Sequence, residues 1–259
     1  GGSAGYLPEL LQELETTRNP KIIDILWERL YHLGSVFSAS FAALPYLARI
    51  AEQWQPNKER LKLVSLAVEI LSGEDIENLR RPGQPQDSWT TTSDRIDLDS
   101  PYRGRYQEEI DILLRLVEEH MQQPNLSSGE FSYLLVNILP LKGYASLKNE
   151  FEYLVSTCWC GWSGCCSFCN TEMEIYPGED NIIAELETDN GKKQQTDIQP
   201  ISPESLTGIM KWLYDTATEK GYESIARKIT CMMGTGTCLN CGEQFNMPEY
   251  FGFAESLRK

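Results

Sequence analysis

The chain has 259 residues, with 38 Asp and Glu against 23 Lys and Arg and a formal charge of −15. Its hydrophobic fraction of 41% is enough for a packed core, which excludes a wholly disordered protein. No apolar run approaches the ~18–20 residues of a membrane span, and the acidic balance argues against an outer surface that binds nucleic-acid phosphates.

Gly1-Gly2-Ser3-Ala4-Gly5 reads as a trimmed linker or cloning remnant, with no signal peptide expected after it. From Tyr6 to about Val155 the hydrophobic period is helical. Leu7, Leu10, Leu11 and Leu14 form one stripe with 3–4 spacing. Asn19-Pro20 opens a second helix carrying Ile22, Ile23, Leu26, Leu30 and Leu33, which Gly34 ends, with His32 beside its last carbonyls. Ser35 to Gln53 holds Phe37, Phe41, Leu44, Leu47 and Ile50, with Pro45 marking a kink or a new start. Helices follow at about 57–72, 105–122, 128–141 and 145–155. Residues 81–105 have no period and read as a loop, in which Trp89 is a candidate contact residue.

Helices paired by short turns, with stripes that none can bury alone, predict a HEAT-like α-solenoid over 6–155, or else an irregular helical bundle. Residues 156–259 read as a second, α+β domain: a zinc-ribbon-like part with a helical insertion. Residues 173–176 and 182–187 alternate as strands around the turn Pro177-Gly178-Glu179-Asp180-Asn181. Ser202 and Pro203 start a helix with stripe Leu206, Ile209, Leu213 and Ala217, ending at Lys220-Gly221. Another runs from Tyr222 to Met233.

All eight cysteines lie in this second part. Cys166-Ser167-Phe168-Cys169-Asn170 matches Cys238-Leu239-Asn240-Cys241-Gly242. Two residues between thiolates let a tight turn aim both sulfurs at one metal, and Asn or Gly just after tolerates positive φ. Two such half-sites complete a shell of four thiolates, which predicts a structural Zn²⁺ at Cys166, Cys169, Cys238 and Cys241. A closed shell activates no water. The competing readings are disulfides, unligated buried thiols, or a half-site formed instead by Cys158 and Cys160. A second all-cysteine site from Cys158, Cys160, Cys165 and Cys231 is arithmetically open, but Cys231 sits on a helical stripe and Cys165 abuts a ligand. The 68 residues between Cys169 and Cys238 require an insertion that folds inside the site.

The segment from Leu26 to Leu47, with Trp27, Leu30, His32, Gly34-Ser35-Val36-Phe37, Ala39, Ala42-Ala43, Pro45 and Leu47, resembles a motif of uncharacterised bacterial HEAT-like proteins. Members often end in paired C-x-x-C half-sites around a helical insert, as this chain does. They are similar in style to immunity proteins that neutralise a polymorphic toxin by binding it. The resemblance implies a protein-binding role and supplies no catalytic residues, while the metal-like arrangement of the cysteines points to a cytoplasmic protein. Phe37 stands where the family has Tyr, and Leu33 where it usually has Gln.

The residues themselves point the same way. His32 and His120 are the two histidines, and His120 reads as a solvated helix end. No nucleophile elbow, phosphate loop or zinc-protease motif is present in the sequence. Adjacent carboxylates such as Glu108-Glu109 and Glu118-Glu119 diverge on a helix. The expected function is therefore non-catalytic binding of a protein, with a basic toxin as the fitting partner. A zinc-ribbon nucleic-acid adaptor and an unrecognised enzyme are the alternatives.

Overall fold

The structure is a computed structural model, and it describes residues 6–31, 35–75, 104–155, 162–187, 190–250, 252–254 and 257. His32, the loop with Trp89, and Cys158 with Cys160 lie outside the described residues. The described chain is mostly helical, with a small antiparallel sheet region towards its C-terminus. Among the described residues no helix is long and apolar enough to cross a membrane.

The chain divides into two compact units, Gly1–Asn125 with Asn137–Ser146, and Leu126–Val136 with Leu147–Lys259. This division differs from a single cut after residue 155. Local chemistry in the second unit accounts for part of the difference. The Phe131 ring stacks on Tyr222 at 4.0 Å, and the Tyr222 hydroxyl donates to the Leu126 carbonyl at 2.7 Å.

The first unit contains α1 (Leu7–Thr17), α2 (Lys21–Leu30), α3 (Ser38–Glu52), α4 (Lys58–Ser72) and α5 (Gln107–Met121). Asn19 and Asn57 start α2 and α4 by accepting the backbone N–H of Lys21 and Arg60. Pro45 lies inside α3, which runs through it and therefore does not restart there. Before α3, the two-residue strand β1 (Ser35–Val36) pairs in parallel with β2 (Glu74–Asp75). Ser40 joins α3 to α2: its hydroxyl donates to the Leu30 carbonyl at 2.7 Å and accepts from the Phe37 N–H. Most of the expected stripe residues form the core, whereas Phe37 is exposed and Leu7 and Leu10 only half-buried. Leu14, Ile23, Leu26, Leu44, Leu47, Leu63, Leu66 and Leu113 are all fully enclosed. α1 packs on α2 and α3, and α3 on α4 and α5. α4 in turn meets α2 and α5.

His120 corrects the sequence reading. It is buried, not solvated, because it continues the inward series Leu113, Leu116 and Val117 of α5. Arg60 is also buried. Its Nη1 reaches Glu119 at 3.0 Å and the Trp54 carbonyl at 3.3 Å, so its charge is paired where it leaves water.

α6 (Ser128–Leu141) and α7 (Ala145–Val155) each fall partly in both units. The second unit continues with a four-stranded antiparallel sheet in sequence order: β3 (Trp162–Cys165), β4 (Glu172–Pro177), β5 (Ile182–Glu187) and β6 (Lys193–Asp197). Met173 and Ile175 on β4, with Ile182 and Ala184 on β5, turn inward. A 3₁₀ turn at Pro203–Ser205 precedes α8 (Gly208–Glu219), which starts later than the Ser202-Pro203 signal implied, with its first residue Gly208 at φ +54°. α9 (Glu223–Met232) packs beside α8 and on β5. The hairpin of β7 (Thr235–Thr237) and β8 (Gln244–Asn246) and the short α10 (Met247–Tyr250) follow.

Candidate metal centre

Each half-site is a turn between two antiparallel strands, β3–β4 for the first and β7–β8 for the second. The backbone bonds of the two turns match one for one. Cys166 N–H donates to the Thr171 carbonyl at 2.9 Å, and Asn170 N–H to the Cys166 carbonyl at 2.8 Å. In the second turn Cys238 N–H donates to Glu243 at 2.8 Å, and Gly242 N–H to Cys238 at 2.9 Å. Asn170 and Gly242 take φ of +57° and +78°. The residue after each C-x-x-C thus sits in the left-handed region, which is why that position holds Asn and Gly.

The helical insertion brings the two turns face to face. The chain leaves β6, runs through α8 and α9, and returns at Thr235, which exchanges backbone bonds with Gln199 at 2.8 and 3.0 Å. Gly234 is required here, because a Cβ would drive into the Gln199 carbonyl oxygen. Aromatic rings then fix the strands. Phe245 lies over Gly236, and Tyr250 over Gly164, whose added Cβ would meet the Tyr250 ring at 2.7 and 2.8 Å. The Tyr250 hydroxyl is shared between the Gly164 and Met173 carbonyls at 2.5 and 3.0 Å. Burial holds that hydroxyl above its ordinary range, so it stays a donor.

The four sulfurs of Cys166, Cys169, Cys238 and Cys241 all lie within 4.8 Å of one another. The close pairs run between half-sites, Cys166 to Cys241 at 3.8 Å and Cys169 to Cys238 at 3.6 Å. Four sulfurs at ~2.3 Å from a central ion, placed tetrahedrally, are about 3.8 Å apart. A disulfide would bring two of them to ~2.05 Å. The cluster therefore has the dimensions of a metal shell. The first cysteine of each half-site, Cys166 and Cys238, is buried; Cys169 is half-buried and Cys241 exposed. Among the described residues no other group of three or more His, Cys, Asp or Glu converges in this way.

Asn240 ties the half-sites together. Its Nδ2 donates to Thr171 Oγ1 at 2.8 Å and to Cys169 Sγ at 3.6 Å, while Thr171 Oγ1 lies 3.2 Å from that sulfur. Thr171 Oγ1 thus accepts from both Asn240 and the Cys169 thiol and joins the two half-sites. The Thr171 hydroxyl first, then its backbone and Asn240, pull the Cys169 thiol down to about 6. Cys241 behaves oppositely. A backbone bond at Glu243 pulls it down, but lost hydration and the neighbouring Cys169, Cys238 and Cys166 push it up to about 12.

Cys231 and Cys165 stay out of the cluster. Cys231 is buried on α9, its thiol raised chiefly by desolvation, and behaves as a small apolar residue. Cys165 is exposed at the end of β3. Sequence reasoning missed Thr171, Asn240, Phe245 and Tyr250. One signal was available: glycine stands two residues before each half-site, at Gly164 and Gly236, where no side chain fits beneath a ring. Compared with models of known protein families, with curated proteins and with solved structures, the chain matches none.

Proposed function

We propose that this chain is a non-catalytic, cytoplasmic protein-binding module of immunity type, built from a HEAT-like α-solenoid and a zinc-ribbon-like part held by a structural Zn²⁺. The observation that carries the metal is the all-thiol cluster, with its sulfurs all within 4.8 Å of one another and the pairs between half-sites at 3.6 and 3.8 Å. Zinc takes four thiolates tetrahedrally, and such a shell leaves no position for water or substrate. Unpaired ligand thiols suit a reducing compartment.

The packing of the first unit supports the solenoid. α1 meets α3 and α3 meets α5, while α2 meets α4, so successive helix pairs lie side by side as stacked repeats do. Stacked helix pairs offer an extended surface, and a net charge of −15 favours a basic protein over nucleic acid.

Co-expression with the product of the adjacent gene in the source genome, followed by affinity isolation and on-rates at low and high salt, tests the reading. The expected result is a stoichiometric complex with a basic protein whose association slows as salt rises. Absence of a protein partner, with salt-sensitive binding to RNA or DNA instead, rejects it in favour of a nucleic-acid adaptor.

A further inference from the structure

The two layers of helices in the first unit differ sharply in charge. α1, α3 and α5 carry nine carboxylates against Arg49 and Arg115, a formal −7. α2 and α4 carry four carboxylates against five Lys and Arg, a formal +1. Arg60 of α4 and Lys142 pair with two of those nine, Glu119 and Glu118, so among the described helices α1, α3 and α5 keep an excess of five carboxylates.

In the middle of that layer lies a helix that does not share the pattern. The solvent side of α3 presents Ala42, Pro45 and Tyr46, spaced at i, i+3 and i+4, where a surface helix ordinarily carries charge. Tyr46 is 47% exposed, and Phe37, just before the helix, 41%. Arg49 lies over the Tyr46 ring at 5.2 Å and pairs with Glu15 of α1 at 3.2 Å, which restrains the ring without covering it. On the other flank Phe41 stacks on Tyr106 and Glu52 pairs with Arg115, so α5 runs beside α3 in the same direction. Glu108 and Asp111, exposed on α5, have no ion-pair partner among the described residues.

We infer that this α3 face, centred on Pro45 and Tyr46, is a docking surface for a basic segment of a partner protein that carries an apolar anchor. The apolar strip receives the anchor, and the surrounding carboxylates attract Lys and Arg on either side of it. Charge selects the occupant. A second copy of the chain would set these carboxylates against their own kind, and phosphate-bearing polymers or anionic bilayers would be repelled in the same way. This inference rests on the protein-binding reading and specifies the surface.

The test uses the full metal-loaded chain and an 18-residue amphipathic peptide of Leu and Lys, labelled for fluorescence anisotropy. Its controls are a scrambled peptide of the same composition and polylysine. The amphipathic peptide should bind, and Tyr46→Glu should weaken it at least tenfold. Tyr133→Glu, at a solvent-facing tyrosine of the other unit (37% exposed), should leave it within twofold. Melting curves check that both variants fold. Equal binding to the Tyr46→Glu chain, equal affinity for scrambled peptide or polylysine, or tighter binding to single-stranded RNA or anionic vesicles overturns the surface. A genomic partner that binds Tyr46→Glu as tightly as the original chain also overturns it, while leaving the protein-binding reading in place. Loss of that partner's binding in Tyr46→Glu alone supports both.

Discussion

Removing the metal should unfold the half-sites while sparing the helices of the first unit. Without an ion, few interactions join the two turns: Asn240 to Thr171, Tyr250 to Gly164 and Met173, and the Gln199–Thr235 pair. At ~1 kcal/mol for each hydrogen bond these contribute roughly 3–5 kcal/mol. Structural zinc contributes on the order of 10–16 kcal/mol, comparable to or larger than the ~5–15 kcal/mol that holds a typical domain. The hairpin β7–β8, three residues in each strand, is too short to persist alone. Chelation under reducing conditions, followed by amide hydrogen exchange, should therefore lower protection by at least about a thousandfold over 163–173 and 235–246. Helices α3 and α4 bury their stripes against each other and should keep theirs. Adding Zn²⁺ back should restore the pattern at about one equivalent per chain. Retained protection in both half-sites with less than ~0.1 equivalent of metal bound would refute a structural role. Equal loss across 7–72 and 163–246 would show that the metal holds more than its own unit.

Four substitutions probe the second unit. Gly236→Ala would set a Cβ 2.7 Å from two Phe245 ring carbons and should cost about 1–3 kcal/mol in denaturant unfolding, whereas Gly129→Ala, with nothing within 4 Å on α6, should be neutral or stabilise by ~0.5 kcal/mol; similar effects at both sites would contradict the ring-over-glycine geometry. Asn240→Ala should weaken metal binding about 10–100-fold in chelator competition, and an unchanged affinity would remove its role as a tie between half-sites. Glu185 is buried on β5, its carboxyl lowered by Lys193 at 2.6 Å and then Gln195. A lowered carboxyl stabilises above its ordinary range and loses that contribution as pH falls through the depressed value, so Glu185→Gln should lower the melting temperature by about 1–2 °C at pH 7, and the difference should shrink as pH falls below the ordinary carboxylate range. The effect is small because Lys193 is 57% exposed.

What was legible in the sequence had a local cause. The helices around 57–72, 128–141 and 145–155 announced themselves because their stripes repeat every 3–4 residues and their ends carry Asn57 or Ser127. The half-sites were legible because a tight turn between two thiolates needs a residue tolerant of positive φ, and Asn170 and Gly242 supply it. β6 was invisible: Lys193-Gln194-Gln195-Thr196-Asp197 lies exposed at the sheet edge and has no alternation to read. His120 was misread because its acidic neighbours suggested solvent, while its spacing from Leu113 and Leu116 placed it on the inner face. Propensity cannot locate Asn240 or Tyr250, since their partners lie 69 to 86 residues away.

Those long-range ties explain why a small cluster needs so large an insertion. A minimal ribbon could set two turns on adjacent strands, yet here α8, α9 and β4–β6 intervene between Cys169 and Cys238. The insertion carries its own core, with Ile175, Ala184, Leu213 and Ile229 fully buried. Its last contribution is positional: Gln199 and Thr235 exchange bonds, Gly234 permits the approach, and Cys238 and Cys241 arrive with Asn240 already directed at Thr171. An ion bound by the four thiols would close a loop that folded structure has largely shortened. Its entropic benefit is smaller than for a bare chain of the same length, and more of its binding energy can go into holding the turns. A circularly simplified chain, with residues 174–233 replaced by a short linker, should therefore bind metal more weakly than the intact one even though all four thiols remain.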